Sequence, residues 1–216
     1  MKMYEATIII PAYNEGKNIR DVIQRVRNVS SKYQIIVVDD GSQDRTAGLA
    51  RQEKVKVITL EKNSGKAFAC LTGSSQAGCE KIVFIDADLQ LSPEEIPKFV
   101  SALDICELAI GVRDMKAIPL QRRLANILAR KMVSHGSQQL HDVLCGFRAV
   151  RKSALKKMSL KQRRYEFESE MLLAALKNHM KIKEVSVTVS YESYKGMSVI
   201  DSLRVLLYIL KNRTGK

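Results

Sequence analysis

The chain has 216 residues, 45% of them hydrophobic and 27% charged, and carries a formal net charge of +13. This composition excludes disordered and collagen-like chains and is long enough to bury a sizeable core as one large α/β domain or a domain with an extension. Lysine and arginine number 14 against 15 acids in residues 1–110 and 22 against 8 in residues 111–216, so the cationic excess lies in the second half, where it would attract phosphate groups, anionic lipid or nucleic acid.

Ala6 to Ile10 is an apolar strand, closed by Pro11-Ala12-Tyr13-Asn14-Glu15. Ile19, Val22, Ile23 and Val26 then recur at helical spacing, which predicts a helix beginning near Gly16 with an apolar inner face. Gln34 to Val38 is a second strand, Asp39-Asp40-Gly41-Ser42 a turn, and Asp44 an N-cap for a short helix to Arg51. Val55 to Leu60 gives a third strand, and Asn63-Ser64-Gly65-Lys66 leads into a helix from Ala67 to Ala77. Next comes Lys81 to Gln90, in which Ile82-Val83-Phe84-Ile85 runs unbroken into Asp86-Ala87-Asp88. Such a run reads as a strand buried on both faces.

Repeated βα units of this length predict an α/β fold, with a mostly parallel sheet and helices on both faces. Ligands of such sheets bind at the carboxyl ends of the strands, where Glu15, Asp40, Asp86 and Asp88 all fall. Acids gathered there need a metal or hydrogen-bond donors to offset them. Asp86, Asp88 and Gln90 present hard oxygens suited to Mg²⁺ or Mn²⁺ carrying a substrate diphosphate, although an Asp-x-Asp after a strand is, taken alone, ordinary turn chemistry. There is no GxGxxG after the first strand and no GxxxxGK followed by Ser or Thr, which argues against a dinucleotide fold and a P-loop.

Downstream, Ser92 caps a helix opening on Pro93-Glu94-Glu95, and Cys106 to Gly111 is a strand that delivers Arg113. Leu120 to Val133 is helical, with Leu124, Ile127, Leu128 and Met132 read as inward-packing and Arg122, Arg123 and Arg130 along it. His135, His141 and His179 show no zinc-like spacing, and Cys70, Cys79, Cys106 and Cys145 show no paired spacing and read as core thiols of a reducing compartment. Glu166, Glu168 and Glu170 sit at a helix start near Phe167, where acids also stabilise the first turn. Lys181 to Tyr191 alternates as a half-solvated strand, and Tyr191 to Gly196 is a polar loop. After it, Val199, Ile200, Leu203, Leu206, Leu207 and Leu210 form a stripe flanked by Arg204, Lys211 and Arg213, an amphipathic helix for packing, dimer burial or a membrane interface. The division expected is a domain at 1–195 and this helix at 196–216. The short apolar run Ala6 to Ala12 is not a secretory leader, and no apolar run reaches the length of a membrane span.

Five segments in this order, IIIPAYNE, VVDDGSQDRT, NSGKAFA, DADLQ and LCGFRA, resemble the family 2 glycosyltransferases of the GT-A fold, and within them the dolichyl or polyprenyl phosphate mannose and glucose synthases. The resemblance covers roughly residues 6–190. It implies a metal-dependent, inverting transfer of a hexose from a nucleotide sugar, with GDP-mannose favoured, to dolichyl or polyprenyl phosphate at the cytoplasmic membrane face. UDP-glucose as donor, or a saccharide or protein hydroxyl as acceptor, is the alternative within the fold; a non-catalytic basic module that binds polyanions or membranes is the alternative outside it. The donor contacts implied are Pro11, Tyr13, Glu15, Val38, Asp40, Lys66, Asp86, Ala87, Asp88 and Gln90, while Asp39 is read as a turn residue. Mg²⁺ or Mn²⁺ would be held by Asp86, Asp88 and Gln90. At Lys66 the family usually shows Gly-Lys-Gly, and here Ala67 follows. Arg113, Arg123 and Arg148 are implied at the acceptor phosphate, guanidinium forks being suited to it, so Asp88, Arg113 and Arg123 are the catalytic candidates. A hydroxyl acceptor would instead need a carboxylate base, for which Glu168, Glu170 and Asp142 are the candidates. The partners expected are the nucleotide sugar, the lipid phosphate and a membrane surface, with a homodimer or a separate membrane subunit possible and no nucleic acid.

Overall fold

Uninterrupted β-branched segments can be buried on both faces only inside a sheet covered by helices on both sides, and the chain is built that way. A computed structural model describes residues 4–116, 118–133, 140–160, 167–190 and 199–212. Its elements are β1 (Ala6–Ala12), α1 (Ile19–Val29), β2 (Tyr33–Asp39), α2 (Thr46–Gln52), β3 (Lys56–Thr59), α3 (Lys66–Ser75) and β4 (Lys81–Phe84). A 3₁₀ turn at Pro93–Glu95 then runs into α4 (Ile96–Ala102). There follow β5 (Leu108–Arg113), α5 (Leu120–Val133), β6 (Arg148–Arg151), α6 (Lys152–Lys157), α7 (Phe167–Lys177), β7 (Ile182–Val187) and α8 (Val199–Asn212).

The sheet has seven strands in the order β3-β2-β1-β4-β6-β5-β7. Pairings are parallel except those of β6, which runs antiparallel between β4 and β5. Period-two alternation divides the core: Ile8, Ile10, Ile35 and Val37 pack with α1 and α4 on one face, while Ile9, Ile36 and Val38 meet α3 on the other. Gly73 permits that second contact, because a Cβ there would lie 2.7 Å from Ile9 Cγ2 and 3.0 Å from Val38 Cγ2.

The expected α/β sheet is therefore present, and the long helix Leu120–Val133 has the expected limits. Its inner face is different. Ala125, Asn126, Ala129 and Val133 are buried, whereas Leu124 and Leu128 are exposed. Both faces of this helix are apolar, so periodicity alone did not choose between them; α5 packs against α8, and Ala129 and Val133 join the cluster that holds Ile209. β6 and α6 were not expected, because Arg148–Arg151 puts two arginines in four residues of strand. The four cysteines are free and buried, as expected of core thiols. Among the described residues, no helix is long and apolar enough to cross a membrane. His135, Glu166 and the 191–196 loop lie outside the described residues.

Candidate active site

At the carboxyl edge, the loops after β1 and β2 clasp each other. Asn14 adopts φ 55°, its backbone N–H donates to Ser42 Oγ at 2.8 Å, and its own Oδ1 accepts from Gln43 N at 2.9 Å. Glu15 N donates to Thr46 Oγ1 at 2.8 Å, and Asp44, expected as the N-cap of α2, stands one residue before the actual cap Arg45 and accepts from Thr46 N at 2.9 Å and Gly16 N at 3.0 Å. The clasp leaves Tyr13 exposed at 42%, beside half-buried Pro11 and a Glu15 carboxylate that accepts from Asn18 Nδ2 at 2.9 Å. An exposed ring and a carboxylate fixed on a braced loop suit a nucleoside.

Asp40 plays a different part from the one expected. Its two oxygens accept from Ser64 N at 2.7 Å and Gly65 N at 2.8 Å, so its side chain braces the loop that delivers Lys66. Burial raises its pKa against the lowering effect of those two N–H groups. Gly41 (φ 71°) is required at the same brace, since a Cβ would sit 2.6 Å from the Lys62 carbonyl carbon. The neighbouring Asp39, read as a turn residue, is 1% exposed with Oδ1 lacking a partner. A buried, unmet acceptor of this kind is costly, so Asp39 is the better candidate for a base contact. Adjacent identical aspartates give no sequence signal for this exchange. Val38 and Ala87, expected among the donor contacts, have core side chains at 0% and 3% exposure, which leaves their backbones for such a contact.

The acids at the end of β4 meet a lysine. Lys66 Nζ lies 2.6 Å from Asp86 Oδ1 and 2.7 Å from Glu168 Oε1. Burial disfavours the ammonium, but Asp86 and Glu168 outweigh it and hold the Lys66 pKa well above its usual value. The backbone at Gly146 covers this triad, since a Cβ there would fall 2.7 Å from Asp86 Oδ2, 3.0 Å from Lys66 Nζ and 3.5 Å from Glu168 Oε1. Phe147 stacks on Phe99 at 4.1 Å, and Phe167 meets Phe84 edge-on at 5.3 Å, which fixes the cover and the first turn of α7. Asp88, two residues on, is pushed up to about 6, first by burial and then by the charge of Asp86. Its Oδ1 accepts from Gln90 N at 3.1 Å across Leu89 at φ 58°. Gln90 is buried with Nε2 unpartnered.

These residues fit a divalent cation. Asp88 is a carboxylate whose charge is penalised where it stands, and with Asp86 it makes two acids only, since among the described residues no group of three or more His, Cys, Asp or Glu side chains is placed to hold a metal ion. Two carboxylates with the remaining positions left to water and substrate phosphate is the arrangement that Mg²⁺-type sites favour.

On the other side of β4, Asp142 is wholly buried and accepts from Arg113 Nε at 2.7 Å, Arg113 Nη2 at 2.9 Å and Arg113 N at 3.2 Å. Leu144 N adds a bond at 3.3 Å. Asp142 thus orients Arg113 and is not a free base. Glu184, which sequence reading missed, holds this segment in turn by accepting from His141 N at 2.5 Å and Asp142 N at 3.3 Å, with His141 Nδ1 at 2.7 Å. Arg123 lies on the exposed side of α5. Arg148, expected at the acceptor phosphate, is corrected: it is 0% exposed and donates to the Cys145 carbonyl at 3.0 Å and the Val143 carbonyl at 2.7 Å. Burial lowers its pKa, opposed by the charge of Glu168. It ties down the segment that carries Asp142 and Gly146. Glu168 and Glu170 are both buried on α7.

Comparisons with known proteins bear on the family and the fold. Residues 7–159 match the family described as Glycosyl transferase family 2. The chain is 33% identical to the UDP-N-acetylglucosamine--dolichyl-phosphate N-acetylglucosaminyltransferase of Methanococcus voltae, over 97% of this chain and 96% of the relative. It is 30% identical to the dolichol-phosphate mannosyltransferase of Pyrococcus furiosus, over 96% of this chain and 64% of that one. Among solved structures, glucosyl-3-phosphoglycerate synthase from Mycobacterium tuberculosis, in complex with Mn²⁺, UDP and glucosyl-3-phosphoglycerate, superposes with a TM-score of 0.77. The identity is 21%, covering 97% of this chain and 80% of that chain, a likeness of fold.

Proposed function

The chain belongs to glycosyltransferase family 2, and from that premise we propose that it is a metal-assisted, inverting transferase that moves a hexose from a nucleotide sugar to a polyprenyl phosphate. One observation carries the choice of acceptor. Of the carboxylates that could serve as a base for a hydroxyl, Asp142 is held by Arg113, Glu168 is paired with Lys66, and Glu170 is buried. A phosphate monoester is largely ionised near neutral pH and needs no such base.

In this reading Tyr13, Glu15 and Asp39 receive the nucleoside, and Lys66 faces the diphosphate. Asp86 and Asp88, with Gln90, would hold Mg²⁺ or Mn²⁺, which when bound acts as a Lewis acid toward the departing diphosphate. Arg113, aimed by Asp142, and Arg123 steer the acceptor phosphate. A phosphate oxygen forms the new bond to the anomeric carbon, the bond to the diphosphate oxygen breaks with its electron pair leaving on the nucleotide, and attack from the opposite face inverts the centre. Association with the cytoplasmic membrane face is peripheral in this proposal, through the cationic second half and the unit at 196–216.

GDP-mannose is the donor favoured by sequence resemblance. The near full-length correspondence to a relative named for N-acetylglucosamine transfer supports UDP-N-acetylglucosamine as a second reading. The test incubates the protein and Mn²⁺ with labelled GDP-mannose, UDP-glucose or UDP-N-acetylglucosamine and a short polyprenyl phosphate. A charged, solvent-extractable glycolipid from one donor is the expected product; label passing only to a saccharide or protein hydroxyl would reject the acceptor assignment.

A further inference from the structure

Asp86 is asked to do two things at once. Its Oδ1 is 2.6 Å from Lys66 Nζ and its Oδ2 lies beside the backbone at Gly146, while the side chain keeps 30% of its surface exposed. A cation taking Asp86 meets an ammonium already held on Oδ1, and the two positive charges compete for one carboxylate. Glu168 changes what displacement costs, because at 2.7 Å it already holds the same ammonium from the other side. Its place is fixed by the Phe84–Phe167 contact one residue earlier, and the whole triad lies under one backbone segment.

We propose that Lys66 is a built-in counter-ion for Asp86 in the cation-free protein, and that Glu168 is the positioning residue that retains the ammonium when a divalent ion takes the carboxylate. The inference rests on the transferase reading for what arrives: a divalent cation together with a nucleoside diphosphate. Lys66 then competes with the cation alone but gains the diphosphate as a partner when both are present. Cation and nucleotide therefore strengthen each other's binding by more than their direct contact provides, and by linkage the effect is reciprocal.

The experiment titrates the full chain with Mn²⁺, following free Mn²⁺ by electron paramagnetic resonance, without nucleotide and with UDP or GDP. Wild type should bind Mn²⁺ alone weakly, and nucleotide should tighten it on the order of tenfold or more. K66M should bind Mn²⁺ alone more tightly than wild type and lose most of the nucleotide's benefit. E168Q should also lose nucleotide benefit, but not when made on the K66M background, because Glu168 acts through Lys66. A purely structural Glu168 would give additive losses instead, and that result overturns the proposal, as does K66M binding Mn²⁺ alone no better than wild type. Should K66M not fold, K66R replaces it: a guanidinium fork on Asp86 and Glu168 should make Mn²⁺ alone bind more weakly than in wild type, and unchanged binding sinks the idea. Failure of wild type to bind Mn²⁺ with either nucleotide counts against the transferase reading itself, a different outcome from any of these.

Discussion

Asp88 carries a charge that the folded protein resists. Its pKa is raised from 3.8 to about 6, so as pH climbs through that window the unfolded chain ionises first and the native state is progressively penalised. The metal-free protein should accordingly lose stability between those pH values and recover it when Mn²⁺ is added. D88N removes the penalty; in metal-free buffer at pH 7 it should gain about 1 kcal/mol, a rise in Tm of about 3 °C by thermal shift. The same variant should lose about 100-fold or more in transfer. A destabilised D88N would show that the carboxylate is structural. Asp142 makes the opposite case, since its buried charge is matched by a bidentate guanidinium. D142N leaves Arg113 without its anion and should cost about 3 kcal/mol by denaturant titration, with a raised KM for the lipid phosphate. Unchanged KM would remove Arg113 from the acceptor site.

At the scale of elements, what was legible in the sequence is what depends on local pattern. β1, β2 and β4 announce themselves by β-branched runs, and the acids fall at their ends because the runs stop there. β6 was not legible, because a short strand sealed between β4 and β5 needs no apolar period of its own, and Arg148 within it satisfies carbonyls rather than a ligand. Nor could spacing reveal that the segment from Asp142 to Phe147 folds back over Asp86 and Lys66, a contact across some sixty to eighty residues that only the antiparallel β4–β6 pairing creates. That return makes Gly146 a structural requirement. G146A would push a methyl against Asp86 Oδ2 and Lys66 Nζ, so it should destabilise by about 1–3 kcal/mol and weaken Mn²⁺ binding in the presence of nucleotide. If G146A binds Mn²⁺ and melts like wild type, the cover does not set the position of Asp86.

For the whole molecule, the distribution of charge and apolar surface has to be explained together. α5 and α8 pack against each other, and α5 turns Leu120, Leu124 and Leu128 outward at 67%, 53% and 49% exposure. On α8, Leu207 and Leu210 are exposed at 55% and 45%. Leucines at i, i+4 and i+8 form one stripe along a helix, and this one is flanked by Arg123 and Lys131 in the half of the chain whose net charge is +14. A second copy meeting this face would bring like charges together, whereas an anionic bilayer would satisfy both the leucines and the cations. Under the proposed function the lipid phosphate enters from such a surface. Co-sedimentation should then show binding to vesicles containing anionic lipid, little binding to neutral vesicles, and weakening as salt is raised. L124E combined with L128E should reduce vesicle binding by about tenfold or more, each leucine contributing about 1.5–3 kcal/mol when buried, while transfer to a short, water-soluble polyprenyl phosphate stays near wild type. A protein that ignores vesicles yet sediments as a dimer, and becomes monomeric with the same two substitutions, would assign the leucine face to a second copy of the chain.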